Sequence, residues 1–129
     1  MRPDFIAPTA QGGEALAERV AALNARYRHH GATAVLGHAL SDPDVGRIAL
    51  VSSFGAESVV LLHMVAVMSR DLPVLFIDTE MLFAETLAYQ LELTERLHLS
   101  NVQVVKPDRA AVFERDNESL LHLYDPDAC

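Results

Sequence analysis

From Arg47 onward the chain alternates short apolar runs with helical patterns, and that alternation leaves few folds open. Ile48–Ser52 predicts a strand, and a helix follows from about Ala56 to Ser69. Pro73–Ile77 predicts a second strand that closes at Asp78-Thr79. A second helix runs from about Phe83 to His98, with Phe83, Leu87, Leu91 and Leu97 facing inward, and Asn101–Val105 is a third strand stopped by Lys106-Pro107-Asp108. A β-α-β-α-β order calls for parallel strands joined by right-handed crossovers. The strands are apolar throughout rather than alternating, which fits a sheet covered by helices on both faces. The fold class is therefore α/β.

Two helices precede this unit. Leu16, Val20, Leu23 and Tyr27 recur at helical spacing between Glu14 and about His29, after Gly12-Gly13, and Gly31 ends that pattern. Ala32 to Leu40 predicts a second helix, Ser41-Asp42-Pro43-Asp44 is a turn cluster, and Gly46 closes it. Residues 1–46 thus read as a helical segment that packs on the sheet, and residues 47–129 as an α/β domain. Beyond the third strand, Arg109 to Arg115 predicts a short helix and Leu120 to Leu123 a brief apolar patch. Three strands are few for a doubly wound sheet, so the domain is expected to be truncated.

Several function classes fall away on composition. No apolar run approaches a membrane span, and Met1-Arg2-Pro3-Asp4-Phe5 lacks the apolar core of a secretory signal. A single cysteine, Cys129, rules out an internal disulfide framework and fits a reducing cytoplasm. The net charge is −8 and the only lysine is Lys106, so there is no basic stripe to neutralise a nucleic acid. A small anion is still admissible, because salt screens distant charges over about 8 Å while helix-end N–H groups act at contact distance. His29-His30 diverge by about 100° on a helix, which suits a solvated helix end rather than a metal site. His63, set in an apolar helix, reads as a packed core histidine.

Two stretches could carry chemistry. Ser52-Ser53-Phe54-Gly55-Ala56-Glu57-Ser58 joins the first strand to its helix, where unpaired backbone N–H groups would meet a phosphate or sulfate. The serines add hydroxyls, Gly55 supplies freedom at the turn and Ala56 leaves room. The residues alone leave two readings open, an anion cradle or a plain turn capped by Ser53. Asp78-Thr79-Glu80 stands at the carboxyl end of the second strand, where open α/β sheets bind ligands; the alternative is ordinary helix initiation capped by Thr79 or Glu80.

Taken together, these stretches are similar to a known family. Ser52-Ser53-Phe54-Gly55-Ala56-Glu57-Ser58-Val59-Val60-Leu61-Leu62-His63 resembles the modified PP-loop of the adenylyl-sulfate and phosphoadenylyl-sulfate reductases of sulfate assimilation. Asp78 to Thr86 resembles their second signature, Leu93-Thr94-Glu95-Arg96-Leu97 the helix after it, and Tyr124-Asp125-Pro126-Asp127-Ala128-Cys129 the lead-in to their cluster cysteines. The resemblance implies an adenine nucleotide α-hydrolase-like fold. It implies that a cysteine thiolate attacks the sulfur of the sulfonucleotide, giving S-sulfocysteine and AMP, and that thioredoxin then frees sulfite.

By the same resemblance Ser52, Ser53, Phe54, Gly55 and Glu57 line the nucleotide site, Phe76, Asp78 and Thr79 face the adenosine, and Cys129 is the first ligand of a [4Fe-4S] cluster. The cysteine-containing ending favours adenylyl sulfate as substrate, with phosphoadenylyl sulfate second. The family's second half, with the nucleophilic cysteine and the other cluster ligands, is expected to lie beyond Cys129, so the chain is expected to be an inactive nucleotide-binding fragment that holds no cluster alone. Homo-oligomerisation is compatible with this. The alternatives are a stand-alone adenine-nucleotide binding module and a PP-loop ATP pyrophosphatase or sulfate adenylyltransferase relative, though Phe54 and Glu57 stand where the pyrophosphatases carry Gly and Asp.

Overall fold

A computed structural model describes residues 10–129; Met1–Phe5, read above for a signal, lie outside them. The chain divides into two compact units, Met1–Val45 and Gly46–Cys129.

In the first unit, helix α1 spans Ala10–Tyr27 and α2 spans Ala32–Ser41. The glycine pair expected to precede α1 lies within its first turn. Asp42, at the C-terminal end of α2, ties the two together. Arg26 Nη1 donates to its Oδ2 at 2.9 Å, the Tyr27 hydroxyl donates to the same oxygen at 3.1 Å, and the Asp44 N–H donates to Oδ1 at 2.9 Å. The Asp44 N–H chiefly holds this carboxyl below its ordinary value near 3.8; burial opposes that, and Tyr27, Arg26 and Arg19 add to it. His30 and His38 stack edge-on at 5.3 Å beside Tyr27, and no group able to hold a metal occurs among the described residues.

The second unit follows the alternation read from the sequence. Strand β1 (Leu50–Val51), helix α3 (Ser58–Met68), β2 (Val74–Ile77), α4 (Ala84–Arg96) and β3 (Val102–Val105) are followed by α5 (Arg109–Arg115) and α6 (Leu121–Tyr124). The strands are all parallel in the order β1-β2-β3, with Leu50 beside Val74 and Val74 beside Val102. Two successive right-handed crossovers in one direction put α3 and α4 on the same face. The core lies there, where Leu62 and Ala66 of α3 and Leu93 of α4 enclose Val74, Phe76 and Phe54.

The fold class is as expected, three parallel strands with helices around them, but coverage of the sheet is uneven. On the other face Val51, Ile77 and Val105 stay exposed. Two inward assignments are corrected. Phe83 is 78% exposed because it is the extended N-cap of α4, outside the helix. Leu91 is also exposed, since the buried stripe runs through Leu87, Gln90, Leu93 and Leu97. Gln90 enters that stripe because Thr94 satisfies it: its Nε2 donates to Thr94 Oγ1 at 3.0 Å. His63 is exposed too, on the side of α3 away from Leu62, Val65 and Ala66.

A carboxylate with a depressed folded-state pKa stabilises above its unfolded value and loses that contribution as pH falls through its folded value. Asp42→Asn is therefore expected to lower thermal stability at neutral pH. The gap to the wild type, read by circular dichroism melting, should shrink as the pH drops below about 4.

Candidate functional site

Parallel pairing brings the two singled-out stretches side by side. Ser52 N–H donates to Leu75 O at 3.0 Å, which continues the β1–β2 ladder into the first loop. Asp78 N–H donates to Val105 O at 2.9 Å, which does the same for β2 and β3. Neighbouring strands lie about 4.8 Å apart, so Ser53 and Asp78-Thr79 open onto one carboxyl-end edge.

The first loop is folded by its serines. Ser52 is buried and its Oγ accepts the Phe54 N–H at 3.1 Å; Ser53 Oγ accepts the Gly55 N–H at 3.4 Å and lies 3.4 Å from Ser58 Oγ. Ser58 N–H donates to Gly55 O at 3.0 Å, and α3 starts at Ser58 with Glu57 as its N-cap and no side-chain cap. The capping role considered for Ser53 is therefore not the one it takes. The first-turn N–H groups of α3 beyond Ser58 are left for solvent or an anion. The exposed Glu57 carboxylate complements the same helix end, so an incoming anion has to share that field with it.

The left-handed residue of the loop is not Gly55. It is Phe54, at φ 55°. Left-handed backbone costs an ordinary side chain about 1–2 kcal/mol. Burying a Phe side chain returns about 1.5–3 kcal/mol. Phe54 is 1% exposed and meets the equally buried Phe76 edge to face, centroids 5.3 Å apart at 82°. The rings of Phe54 and Phe76 thus lie in the core rather than on a surface. What they give the site is the backbone position of both loops.

The second loop is an Asx turn. Asp78 is buried, and its Oδ1 accepts the N–H of Glu80, a residue at φ 63°, at 2.8 Å. Its Oδ2 lies 3.9 Å from Lys106 Nζ. Thr79 is exposed, and its Oγ1 accepts the Met81 N–H at 3.4 Å. Neither Thr79 nor Glu80 caps α4. Of the eight substrate-facing residues expected from the sequence, Ser53, Gly55, Glu57 and Thr79 are thus exposed, while Ser52, Phe54, Phe76 and Asp78 are buried supports.

A cavity of about 410 Å³ opens beside Thr79, lined also by Ile77, Met81, Val105, Lys106 and Cys129. It is mainly apolar, with Lys106 and Arg115 as its basic residues and Asp108 and Asp116 as its acidic ones. Lys106 stops the third strand in the sequence pattern, and a residue ending β3 must stand beside the residues ending β2. Cys129 is exposed and is the chain's one thiol. A four-iron cluster takes four such ligands, and these residues do not fit one.

The sequence of this unit matches the family model described as the phosphoadenosine phosphosulfate reductase domain over residues 47–129. The chain belongs to that family. It is similar to an adenosine 5'-phosphosulfate reductase of Chelativorans sp. (strain BNC1), 48% identical over 108 residues that make up 83% of this chain and 44% of the relative. A second such reductase, from Mesorhizobium japonicum, is 41% identical over 116 residues, 90% of this chain and 46% of the relative. A phosphoadenosine 5'-phosphosulfate reductase of Alkalilimnicola ehrlichii is 49% identical over 69 residues, 54% of this chain and 28% of the relative. The chain spans less than half the length of these relatives. No solved structure matches it.

The family match and the second compact unit cover nearly the same residues, so the family's portion of this chain is the unit that Phe54 and Phe76 hold together. Phe54→Ala is expected to cost about 3–5 kcal/mol of unfolding free energy in denaturant titration. Phe54→Gly should be no better, although glycine relieves the left-handed strain. A Gly variant as stable as the wild type would show that the strain outweighs the packing.

Proposed function

We propose that this chain is the nucleotide-binding portion of an assimilatory adenylyl-sulfate reductase, with phosphoadenylyl sulfate as the second candidate substrate. The phosphosulfate rests on Ser53, Gly55 and the N-terminal turn of α3, and the adenosine lies toward Thr79 and the apolar cavity beside it. The observation that carries this is the juxtaposition of the two loops at one strand-end edge, fixed by the Phe54–Phe76 contact. The names of the two relatives that cover most of this chain favour adenylyl sulfate.

In the complete reaction a cysteine thiolate attacks the sulfur, the S–O bond to the phosphate breaks and AMP leaves. A thioredoxin dithiol then displaces sulfite from the S-sulfocysteine and ends as a disulfide. Cys129 is not that nucleophile in our reading. The chain by itself therefore binds AMP weakly and releases no sulfite.

Calorimetry with AMP should give weak binding that Ser53→Ala and Thr79→Ala each reduce several-fold, the worth of one hydrogen bond of about 0.5–1.5 kcal/mol. Incubation with adenylyl sulfate and reduced thioredoxin should give no sulfite above the protein-free control. Sulfite release by these 129 residues contradicts the fragment reading. Tight AMP binding would instead favour a self-sufficient nucleotide module, and pyrophosphate release from ATP a pyrophosphatase.

A further inference from the structure

Asp78 takes a carboxylate into a nearly closed place. Its side chain is 8% exposed and its Oδ1 accepts the Glu80 N–H. Among the described residues its one ion-pair partner is Lys106, whose Nζ stands 3.9 Å from Oδ2. A buried carboxylate is costly unless a counter-charge accompanies it, so Lys106 is committed to Asp78. The parallel register brings the two together. Ile77 is paired with Val105, so the next residue of each strand, Asp78 and Lys106, leave the sheet side by side. Lys106 itself stays half exposed, in the wall of the cavity beside Thr79.

The charges of that cavity lean the same way. Lys106 and Arg115 line it together with Asp108 and Asp116. Both aspartates are engaged as acceptors: Asp108 Oδ1 takes the Ala110 N–H at 2.9 Å, and Asp116 Oδ1 takes those of Leu120 and Leu121 at 2.7 and 2.9 Å. With Asp78 beside them, three carboxylates stand against two cations. Hydroxyl groups suit such a wall, since Asp78 Oδ2 can accept and Lys106 can donate. A phosphate does not, because it adds negative charge where there is already an excess. The two candidate substrates differ by one phosphate, which phosphoadenylyl sulfate carries on its ribose.

We propose that Lys106 is a specificity-determining residue of this edge. Held by Asp78, it has no charge to spare for a phosphate on the ribose. The pair therefore admits the free hydroxyls of adenylyl sulfate and disfavours phosphoadenylyl sulfate. Releasing the lysine abolishes that preference. The proposal rests on the nucleotide reading above, which sets the adenosine toward Thr79.

The test compares the affinities of the 129-residue chain for AMP and for adenosine 3′,5′-bisphosphate, which differ only in that phosphate. Both are measured by amide-shift titration at one ionic strength, because salt screens the effect. AMP should bind more tightly by about fivefold or more, the scale of one charge-assisted contact. Asp78→Asn keeps an oxygen for the Glu80 N–H but frees Lys106, and should move the ratio toward the bisphosphate by a similar factor. Adding Lys106→Met to that variant returns the wild-type charge balance and should return the wild-type ratio. Melting curves check that each variant folds, and the wild-type ratio is a test by itself where Asp78→Asn does not. Bisphosphate binding as tight as AMP in the wild type, a ratio that Asp78→Asn leaves alone, or a shift that Lys106→Met fails to cancel would each overturn the proposal. If neither ligand moves the amides of Gly55–Val59 and Thr79–Met81, the nucleotide reading fails and takes the proposal with it. If AMP moves them while the ratio ignores the pair, that reading stands and only the role of Lys106 falls.

Discussion

Much of the second unit depends on one contact, the edge-to-face packing of Phe54 on Phe76. Phe54 sits in the loop after β1 and Phe76 within β2 just before the second loop, and each is almost wholly buried. The pair is worth about 0.5–1.5 kcal/mol beyond the area that it buries. It holds Phe54 in a left-handed conformation that an unanchored side chain would leave. The turn into α3 is thereby set, with Ser52 and Ser53 folded back onto the loop's own N–H groups. Remove the anchor and the loop has serine hydrogen bonds but nothing to fix their direction.

The order and parallel pairing of the strands were legible in the sequence because hydrophobic periodicity and crossover handedness restrict a β-α-β-α-β run to few arrangements. The juxtaposition of the two candidate loops was legible for the same reason, since strand ends fall where the apolar runs stop. Side-chain direction inside the loops was not legible. Gly55 looked like the residue that a tight turn requires, but the positive φ falls on Phe54, because core burial offsets a strain that glycine would merely have avoided. Phe83 and Leu91 share spacing with buried leucines, yet the helix starts one residue after Phe83, and the buried stripe passes through Gln90. Periodicity cannot find a glutamine whose amide is satisfied by Thr94 one turn away.

His63 shows the same limit. Its apolar neighbours predict a core position, and that expectation is sound for a helix like α3 in a finished interior. Here α3 is covered on one side only, so a residue placed by composition in a core stands at the surface. The same uneven cover appears at the two-residue β1, whose Val51 is exposed. The candidate nucleotide edge does not share it: both of its loops are closed by internal hydrogen bonds.

The claim at the centre of this account is that the loops held by Phe54 and Phe76 form one nucleotide-binding edge. Titration of ¹⁵N-labelled chain with AMP, followed by amide shifts, addresses it residue by residue. The account predicts shifts confined to Gly55–Val59, Thr79–Met81 and the cavity around Lys106, with the same groups responding in parallel. Shifts at only one of the two loops, or centred elsewhere such as the α1–α2 unit, would contradict it.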